Sequence, residues 1–298
     1  MSTALPAPHG LLNLDKPAGV TSRDVVNRVA RLVRRTKAGH AGTLDPLATG
    51  VLVVCLGAAT RLVDRVQEHR KGYRASLQFG LRSDTDDITG QVAPGGDWRG
   101  ISTDDIRRAL AEFQGAIAQV PPKFSAVHVD GRRAYDLARS QQEFELSARV
   151  VQVDLAELIS HHDDFAELDL VCGSGTYVRS LVRDLGDRLG CGAVMTALRR
   201  TFIGPYRDTD ALPLEELTAE TLRSRLLPLN SALDRDARYP ASLAECAALL
   251  QGKSIEAPAE FSPDDLRVAV LDNAGELFAF TRWDAGERRL HPQQVFVR

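Results

Sequence analysis

The chain lacks the marks of a secreted or membrane protein. Its 298 residues include only four cysteines, Cys55, Cys172, Cys191 and Cys246, far apart and without a C-x-x-C pair. That spacing excludes a disulfide framework and a zinc ribbon and fits packed, reduced thiols in a cytosolic protein. No apolar stretch approaches the ~20 residues that span a bilayer. The N-terminus also lacks a basic segment followed by an apolar one, so a soluble, cytoplasmic protein is expected. An excess of charge of one sign is missing as well. Lys and Arg total 37 against 40 Asp and Glu, a formal charge of -3, so any polyanionic partner has to be met by a local basic surface. No internal repeat is present. The length allows one sizeable core and a second, smaller domain.

What is present is organised around residues 39–52, Gly-His-Ala-Gly-Thr-Leu-Asp-Pro-Leu-Ala-Thr-Gly-Val-Leu. Asp45 precedes Pro46, which biases its backbone away from helix and toward an extended shape that holds a carboxylate out of a loop. Gly39 and Gly42 permit sharp turns, and Gly50 leads into the apolar run 51–56, a buried strand. Two readings of Asp45 stand at this point: a presented acid, or a cap on a turn begun by Pro46.

Around this stretch, residues 10–15 read as a strand feeding a Lys16-Pro17-Ala18-Gly19 turn. Thr21 or Ser22 caps a helix with Val25, Val26, Val29, Leu32 and Val33 on one stripe. From Arg23 to Lys37 it carries six basic residues against the single acid Asp24, either a solvated face or a phosphate-binding one. A second basic stretch holds Arg61, Arg65, Arg70, Lys71 and Arg74. Residues 73–79 alternate strictly, placing Tyr73, Ala75, Leu77 and Phe79 on one strand face, with Tyr73 in the core or at the edge of a site.

The acidic run 84–90 is read as a polar turn. A calcium loop of the EF-hand type needs Gly at its sixth position and Glu at its twelfth, where this chain has Thr89 and Gly95. Ser102 and Asp105 open a helix in capping-box style. Residues 120–127 are rigid and extended, followed by a basic turn at Gly131-Arg132-Arg133 and a helix over 134–139. Residues 150–158 and 166–172 read as paired strands, with His161 to Asp164 as the hairpin loop between them. Gly173-Ser174-Gly175-Thr176 opens a helix that carries Arg179 in its first turn. A cation there costs a few tenths to about 1 kcal/mol against the helix dipole, which suggests a carboxylate partner such as Asp45. Beyond a Pro-punctuated linker, a helix over 242–250 and strands over 266–271, 277–283 and 295–297 form a small β-rich module.

Several motifs occur together in one order: Leu14-Asp15-Lys16-Pro17, the Asp45 stretch, Lys71-Gly72-Tyr73-Arg74, Val120-Pro121-Pro122 with Phe124-Ser125-Ala126, and Gly175-Thr176-Tyr177-Val178-Arg179-Ser180-Leu181. Over residues 10 to 205 the chain resembles the TruB-type tRNA pseudouridine synthases, and its end resembles their PUA-like RNA-binding domain. The resemblance implies an α+β fold, a central mixed or antiparallel sheet flanked by helices, with a catalytic domain over 1–236 and a PUA-like domain over 237–298. It implies isomerisation of uridine 55 in the T-arm of tRNA by base flipping, without metal or organic cofactor. Asp45, Tyr73 and Arg179 are then catalytic, and His40, Tyr177 and Leu198 bind the substrate. Arg28, Arg31, Arg35, Lys71 and Arg132 contact the RNA backbone. The protein is expected to act as a monomer on free tRNA, without guide RNA and away from membranes. The RNA-guided branch of the superfamily and a tRNA-binding factor are the rival readings.

Overall fold

The computed structural model describes residues 7–129, 131–140, 142–234, 236–258, 261 and 266–296. In chain order, strand β1 (Gly10–Lys16) leads into helix α1 (Ser22–Leu32), followed by β2 (Ala38–His40) and β3 (Thr49–Leu56). Helix α2 (Val63–Glu68) precedes β4 (Lys71–Phe79) and a short hairpin, β5 (Leu81–Ser83) with β6 (Val92–Pro94). Next come α3 (Thr103–Ala111), β7 (Gly115–Gln119), a second short hairpin of β8 (His128–Val129) and β9 (Arg132–Arg133), and α4 (Ala134–Arg139). The long strands β10 (Arg149–His162) and β11 (Phe165–Cys172) precede α5 (Val178–Arg188), β12 (Ala193–Ile203), β13 (Tyr206–Arg207), β14 (Leu212–Pro213) and α6 (Ala219–Ser224). The C-terminal segment contributes β15 (Ala237–Pro240), α7 (Leu243–Leu250), β16 (Ile255–Glu256), β17 (Arg267–Leu271), β18 (Leu277–Asp284) and β19 (Arg289–Val295).

The central sheet runs β14-β1-β3-β12-β4-β11-β10-β7, with β13 beside β12 and β2 beside β3. It is mixed: most pairs are antiparallel, while β12 lies parallel to β3 and β14 parallel to β1. A second sheet, β15-β17-β18-β19-β16, is built wholly from the C-terminal segment.

The apolar run of β3 shows why the sheet is buried on both sides here. Leu52, Val54 and Leu56 pack with Val25, Val26 and Val29 of α1. Val51, Val53 and Cys55 face the other way, into a cluster that takes in Leu62, Phe280 and Phe296. A strand covered on both faces needs no polar alternation. The C-terminal sheet therefore closes the core of the first unit, and Arg65 adds a 2.5 Å ion pair to the fully buried Asp236 carboxylate. Further along the sheet, Tyr73, Ala75, Leu77 and Phe79 pack under α3 and α5 through Ile106, Leu110, Leu181 and Leu185.

Capping follows the sequence closely. Thr21 caps α1 reciprocally with Asp24, Ser102 caps α3 with Asp105, and Ser242 caps α7 with Glu245. Two expected boundaries move. His161 and His162 belong to β10, and the turn is confined to Asp163 and Asp164, with Asp163 at φ 53°. The last strand is Arg289–Val295, earlier than the expected 295–297, of which Val297 lies outside the described residues. Its Arg-Leu-His-Pro-Gln-Gln run has no apolar alternation, and its place is set by backbone pairing with β18. Among the described residues no helix is long and apolar enough to cross a membrane.

Gly50 is where β3 meets β12. Its φ is +96°, and an added Cβ would lie 2.2 Å from the Arg200 carbonyl oxygen. Gly50→Ala is expected to cost at least about 2 kcal/mol, from left-handed backbone strain and the forced separation of the two strands. Urea titration measures this, and an unchanged midpoint would contradict it.

Candidate active site

Residues 41–48 join β2 to β3 and present Asp45. The loop is held from several sides. Ser22, buried at the start of α1, accepts the Leu44 N–H at 2.8 Å and donates to the Leu44 carbonyl at 3.1 Å. The Gly19 N–H donates to the Pro46 carbonyl at 2.8 Å. Lys16 Nζ donates to the carbonyls of Pro17, Val20 and Pro46 at 2.9, 2.7 and 3.4 Å. From beneath, Arg200 donates to the Gly42 carbonyl at 3.1 Å. With both neighbours of Asp45 tied down, its carboxylate is presented from fixed backbone, the preorganisation a reacting acid requires.

The turn after Asp45 is closed by its backbone: the Ala48 N–H donates to the Asp45 carbonyl at 3.0 Å. The carboxylate is engaged by Arg179, with Nε 2.9 Å from Oδ2 and Nη2 donating to Oδ1 at 3.2 Å. This two-point grip fixes the plane of the carboxylate as well as its charge. Arg179 is itself held, Nη1 donating to the Thr85 carbonyl at 2.8 Å and Nη2 to the Phe124 carbonyl at 3.0 Å. Asp87 Oδ2 lies 3.8 Å from Arg179 Nε. The Arg179 and Asp87 side chains are each 6% exposed and that of Asp45 is 35% exposed, so Asp45 is the member of the cluster a substrate can reach.

The acidic turn 84–87 is thus more than a polar connection. Asp87 faces Arg179, and the Arg183 Nη1 of α5 lies 2.8 Å from Asp86 Oδ2. Burial pushes the Asp86 carboxyl up, opposed by Arg183 and Arg179. Asp86 and Asp87 offset the placement of two cations in the first half of α5. The calcium-loop pattern drew attention to this run, but only the fold brings it to Arg179.

Tyr73 and Leu198 are 7% exposed and share one core cluster with Leu44 and Ala48, which flank Asp45 in sequence. Burial pushes the Tyr73 hydroxyl up, and Arg200 pulls the other way. Tyr177 is the N-cap of α5. Its N–H donates to Gln119 Oε1 at 2.9 Å and its carbonyl accepts from Gln119 Nε2 at 3.1 Å. Gln119 is nearly fully buried, so this paired bond locks the start of α5 to β7. His40 ends β2 opposite Val54, half-buried, with no protein partner for Nδ1 among the described residues. Burial, then Arg23 and Arg200, lower its pKa and keep the ring neutral at pH 7.

The expected phosphate contacts divide. Arg31, Arg35 and Arg132 are exposed, with Arg132 Nη1 donating to Gln142 Oε1 at 2.8 Å. Arg28 is half-buried and reaches the Glu215 carbonyl at 3.5 Å. Lys71 does not fit the expectation. It is 6% exposed, and its Nζ donates to the carbonyls of Gln67 and His69 at 2.6 and 2.9 Å. The alternation of β4 turns Lys71 inward with Tyr73, so it cannot serve as a surface contact in this conformation. The sequence reading also missed Arg200. Its signal was the pair Arg199-Arg200 in one strand: alternation sends the two to opposite faces, and one of them must enter the core.

Beside the cluster, a cleft of about 640 Å³ is lined by Lys123, Phe124 and Phe144 among others, and Phe124 is the residue whose carbonyl receives Arg179. A partly exposed acid gripped by a buried arginine, with a cleft beside it, suits chemistry on a base taken out of its stack.

Comparison with known proteins places the chain among the pseudouridylate synthases. The profile described as "TruB family pseudouridylate synthase (N terminal domain)" matches residues 30–178, and "tRNA pseudouridylate synthase B C-terminal domain" matches residues 179–234. The chain belongs to the TruB family. It is 44% identical over 296 residues to a protein of Cereibacter sphaeroides named tRNA pseudouridine synthase B, covering 96% of each. The protein of the same name from Dinoroseobacter shibae is 42% identical, with 97% of this chain and 96% of that one covered. Among solved structures, a chain in the crystal structure of a Cbf5-Nop10-Gar1 complex superposes with a TM-score of 0.76 at 28% identity, covering 97% of this chain and 85% of that one. The division at 178/179 falls inside α5 and does not separate structural units, because β12, from the second match, lies between β3 and β4 of the first.

Lys71 offers a test of this buried charge. Burial first, then Arg200, lowers its pKa to about 8. The unfolded chain holds that proton up to the ordinary lysine range near ~10.4, so between these values the unfolded state binds more protons and the Lys71 contribution to stability rises with pH. Relative to Lys71→Met, the wild type is expected to gain stability from about pH 8 to about pH 10. Urea titrations of both proteins at each pH measure the difference, and a constant gap would refute it.

Proposed function

We propose that this chain converts uridine 55 in the T-arm of tRNA to pseudouridine. The observation that carries the proposal is the partly exposed Asp45 carboxylate, held at two points by buried Arg179. In the reaction the N1–C1′ bond breaks with its electron pair left on the uracil. The base turns, C5 bonds to C1′, the C5 proton leaves, and N1 gains a proton. Atoms balance with no added reagent.

Asp45 acts at the anomeric centre, as nucleophile or as electrostatic partner, and requires its ionised form. Arg179 keeps it oriented. Tyr73 stacks on the extruded base, an interaction worth roughly 1–3 kcal/mol, and helps move the C5 proton. Leu198 and Tyr177 line the uracil pocket, and His40, neutral, supports the flipped-out RNA. Arg31, Arg35 and Arg132 meet phosphates, joined by Arg28 if it releases its carbonyl. The protein works as a cytoplasmic monomer on free tRNA. Its greater likeness to proteins named for tRNA than to the Cbf5-Nop10-Gar1 complex chain supports action without a guide RNA. A catalytic domain over 1–236 and a PUA-like domain over 237–298 agree with a second sheet that draws only on residues beyond 236.

Purified protein incubated with an unmodified tRNA transcript, without guide RNA, is expected to yield pseudouridine at position 55. Asp45→Asn should yield none while still binding tRNA; full turnover by that variant would sink the assignment. Binding to phosphates is also expected to weaken steeply with salt, each phosphate contact adding a slope of about 0.9 on a double-logarithmic plot for a duplex. An affinity indifferent to ionic strength would count against the basic surface.

A further inference from the structure

Three buried cations, Lys16, Lys71 and Arg200, lie beneath the Asp45 loop, and among the described residues none forms an ion pair with a carboxylate. Among the described residues Arg200 is the largest of the fully buried side chains, at 1% exposure. Its neighbour Arg199 turns to the opposite face and pairs with Asp15 and Asp208 at 3.0 and 2.9 Å. Arg200 instead donates from Nε to the Val51 carbonyl at 2.7 Å and from Nη2 to the Gly42 carbonyl at 3.1 Å. Carbonyls alone compensate a buried guanidinium poorly, and an apolar side chain would pack the same space at lower cost.

Arg200 stands opposite Tyr73 in the pairing of β12 with β4, so the two side chains leave the sheet side by side on one face, and the guanidinium acts on the Tyr73 hydroxyl electrostatically. Guanidinium has five donors and no acceptor, so beside it the Tyr73 oxygen can only accept. Among the described residues the Tyr73 hydroxyl makes no hydrogen bond to a protein acceptor, so no protein group holds its proton. The other groups facing it are Asp45 from the loop, which opposes ionisation, and Cys172 from β11, whose thiol burial pushes up to about 11. Lys71 acts at one remove, through Arg200 and Cys172. Arg200 is therefore the cation placed to favour an ionised Tyr73.

We propose that Arg200 is the positioning residue for Tyr73, orienting its hydroxyl and supporting the ionised oxygen that takes the C5 proton. The inference rests on the pseudouridine reading above. Once C5 has bonded to C1′, ionised Tyr73 takes the C5 proton, and the C5–H electron pair closes the C5=C6 bond. The C6=N1 π pair settles on N1, and N1 takes the proton from Tyr73 directly or through water. One C–H bond breaks, one N–H bond forms, and Tyr73 ends as it began.

The test is single-turnover pseudouridine formation on tRNA carrying protium or deuterium at C5 of the target uridine, from about pH 6 to about pH 9. Arg200→Gln is expected to slow the reaction about tenfold for each unit by which the Tyr73 hydroxyl rises. The rate should recover as pH increases, the isotope effect should exceed that of the wild type, and little further loss should appear when Arg200→Gln is added to Tyr73→Phe. A loss independent of pH and isotope that multiplies in full with Tyr73→Phe would mean that Arg200 only props the Asp45 loop, and would overturn the proposal. A second variant leaves Arg200 in place: replacing Tyr73 by 3-fluorotyrosine, a more acidic phenol, should move the pH profile downward. An unmoved profile overturns the proposal even where Arg200→Gln fails to fold. Failure of the underlying reading looks different, since the wild type would then make no pseudouridine at all.

Discussion

The structure depends on burying the Arg179 guanidinium where it can hold Asp45. A buried guanidinium must have its donors met, and here four partners come from three separate parts of the chain: Asp45, the turn that carries the Thr85 carbonyl and Asp87, and the Phe124 carbonyl. Each partner is thereby fixed relative to the others. The carboxylate is the most exposed of the set because the remaining directions around Arg179 are filled by protein. Arg179 lies in the first turn of α5, against the helix dipole, and the local cost is small beside the gain from two acids and two carbonyls.

The sheet makes this convergence possible. β4, β12 and β3 lie side by side, so Tyr73, Leu198, Arg200 and the Asp45 loop meet although they are distant in sequence. Gly50 allows β12 and β3 to approach closely, and Arg200 reaches beneath the loop to the Gly42 and Val51 carbonyls. The outer side of β3 is closed by the C-terminal sheet through Phe280 and Phe296, with Arg65 paired to Asp236. That sheet is structurally continuous with the core that carries the site, and rigidity at Asp45 draws on packing well away from it.

Much of the site was legible in the sequence because its residues lie in short, ordered motifs. Asp45, Tyr73 and Arg179 were all singled out, and the structure brings them together. Lys71 is misplaced for a physical reason: a basic residue in a basic stretch reads as surface, and the pairing of β4 with β11 and β12 shows that the strand, and with it the inward face of Tyr73, begins as early as Lys71. Asp87 reads as part of a polar turn because its partner, Arg179, lies far along the chain on α5. His161 and His162 looked like loop because their polarity hides the extension of β10.

The sequence by itself determined the local features: the reciprocal caps at Thr21, Ser102 and Ser242, the alternating face of β4, the unbroken apolar run of β3, and the family to which the motifs belong. These follow from backbone preference and periodicity, which act over a few residues. Only the tertiary structure decided which charges are buried and what they touch. Arg31 and Arg200 are the same residue type, one in solvent and one enclosed, and local alternation says only that one of Arg199 and Arg200 turns inward, not which one or what it meets there. The difference arises from strands and helices far apart in the chain, whose packing decides whether a guanidinium meets water or a ring of carbonyls.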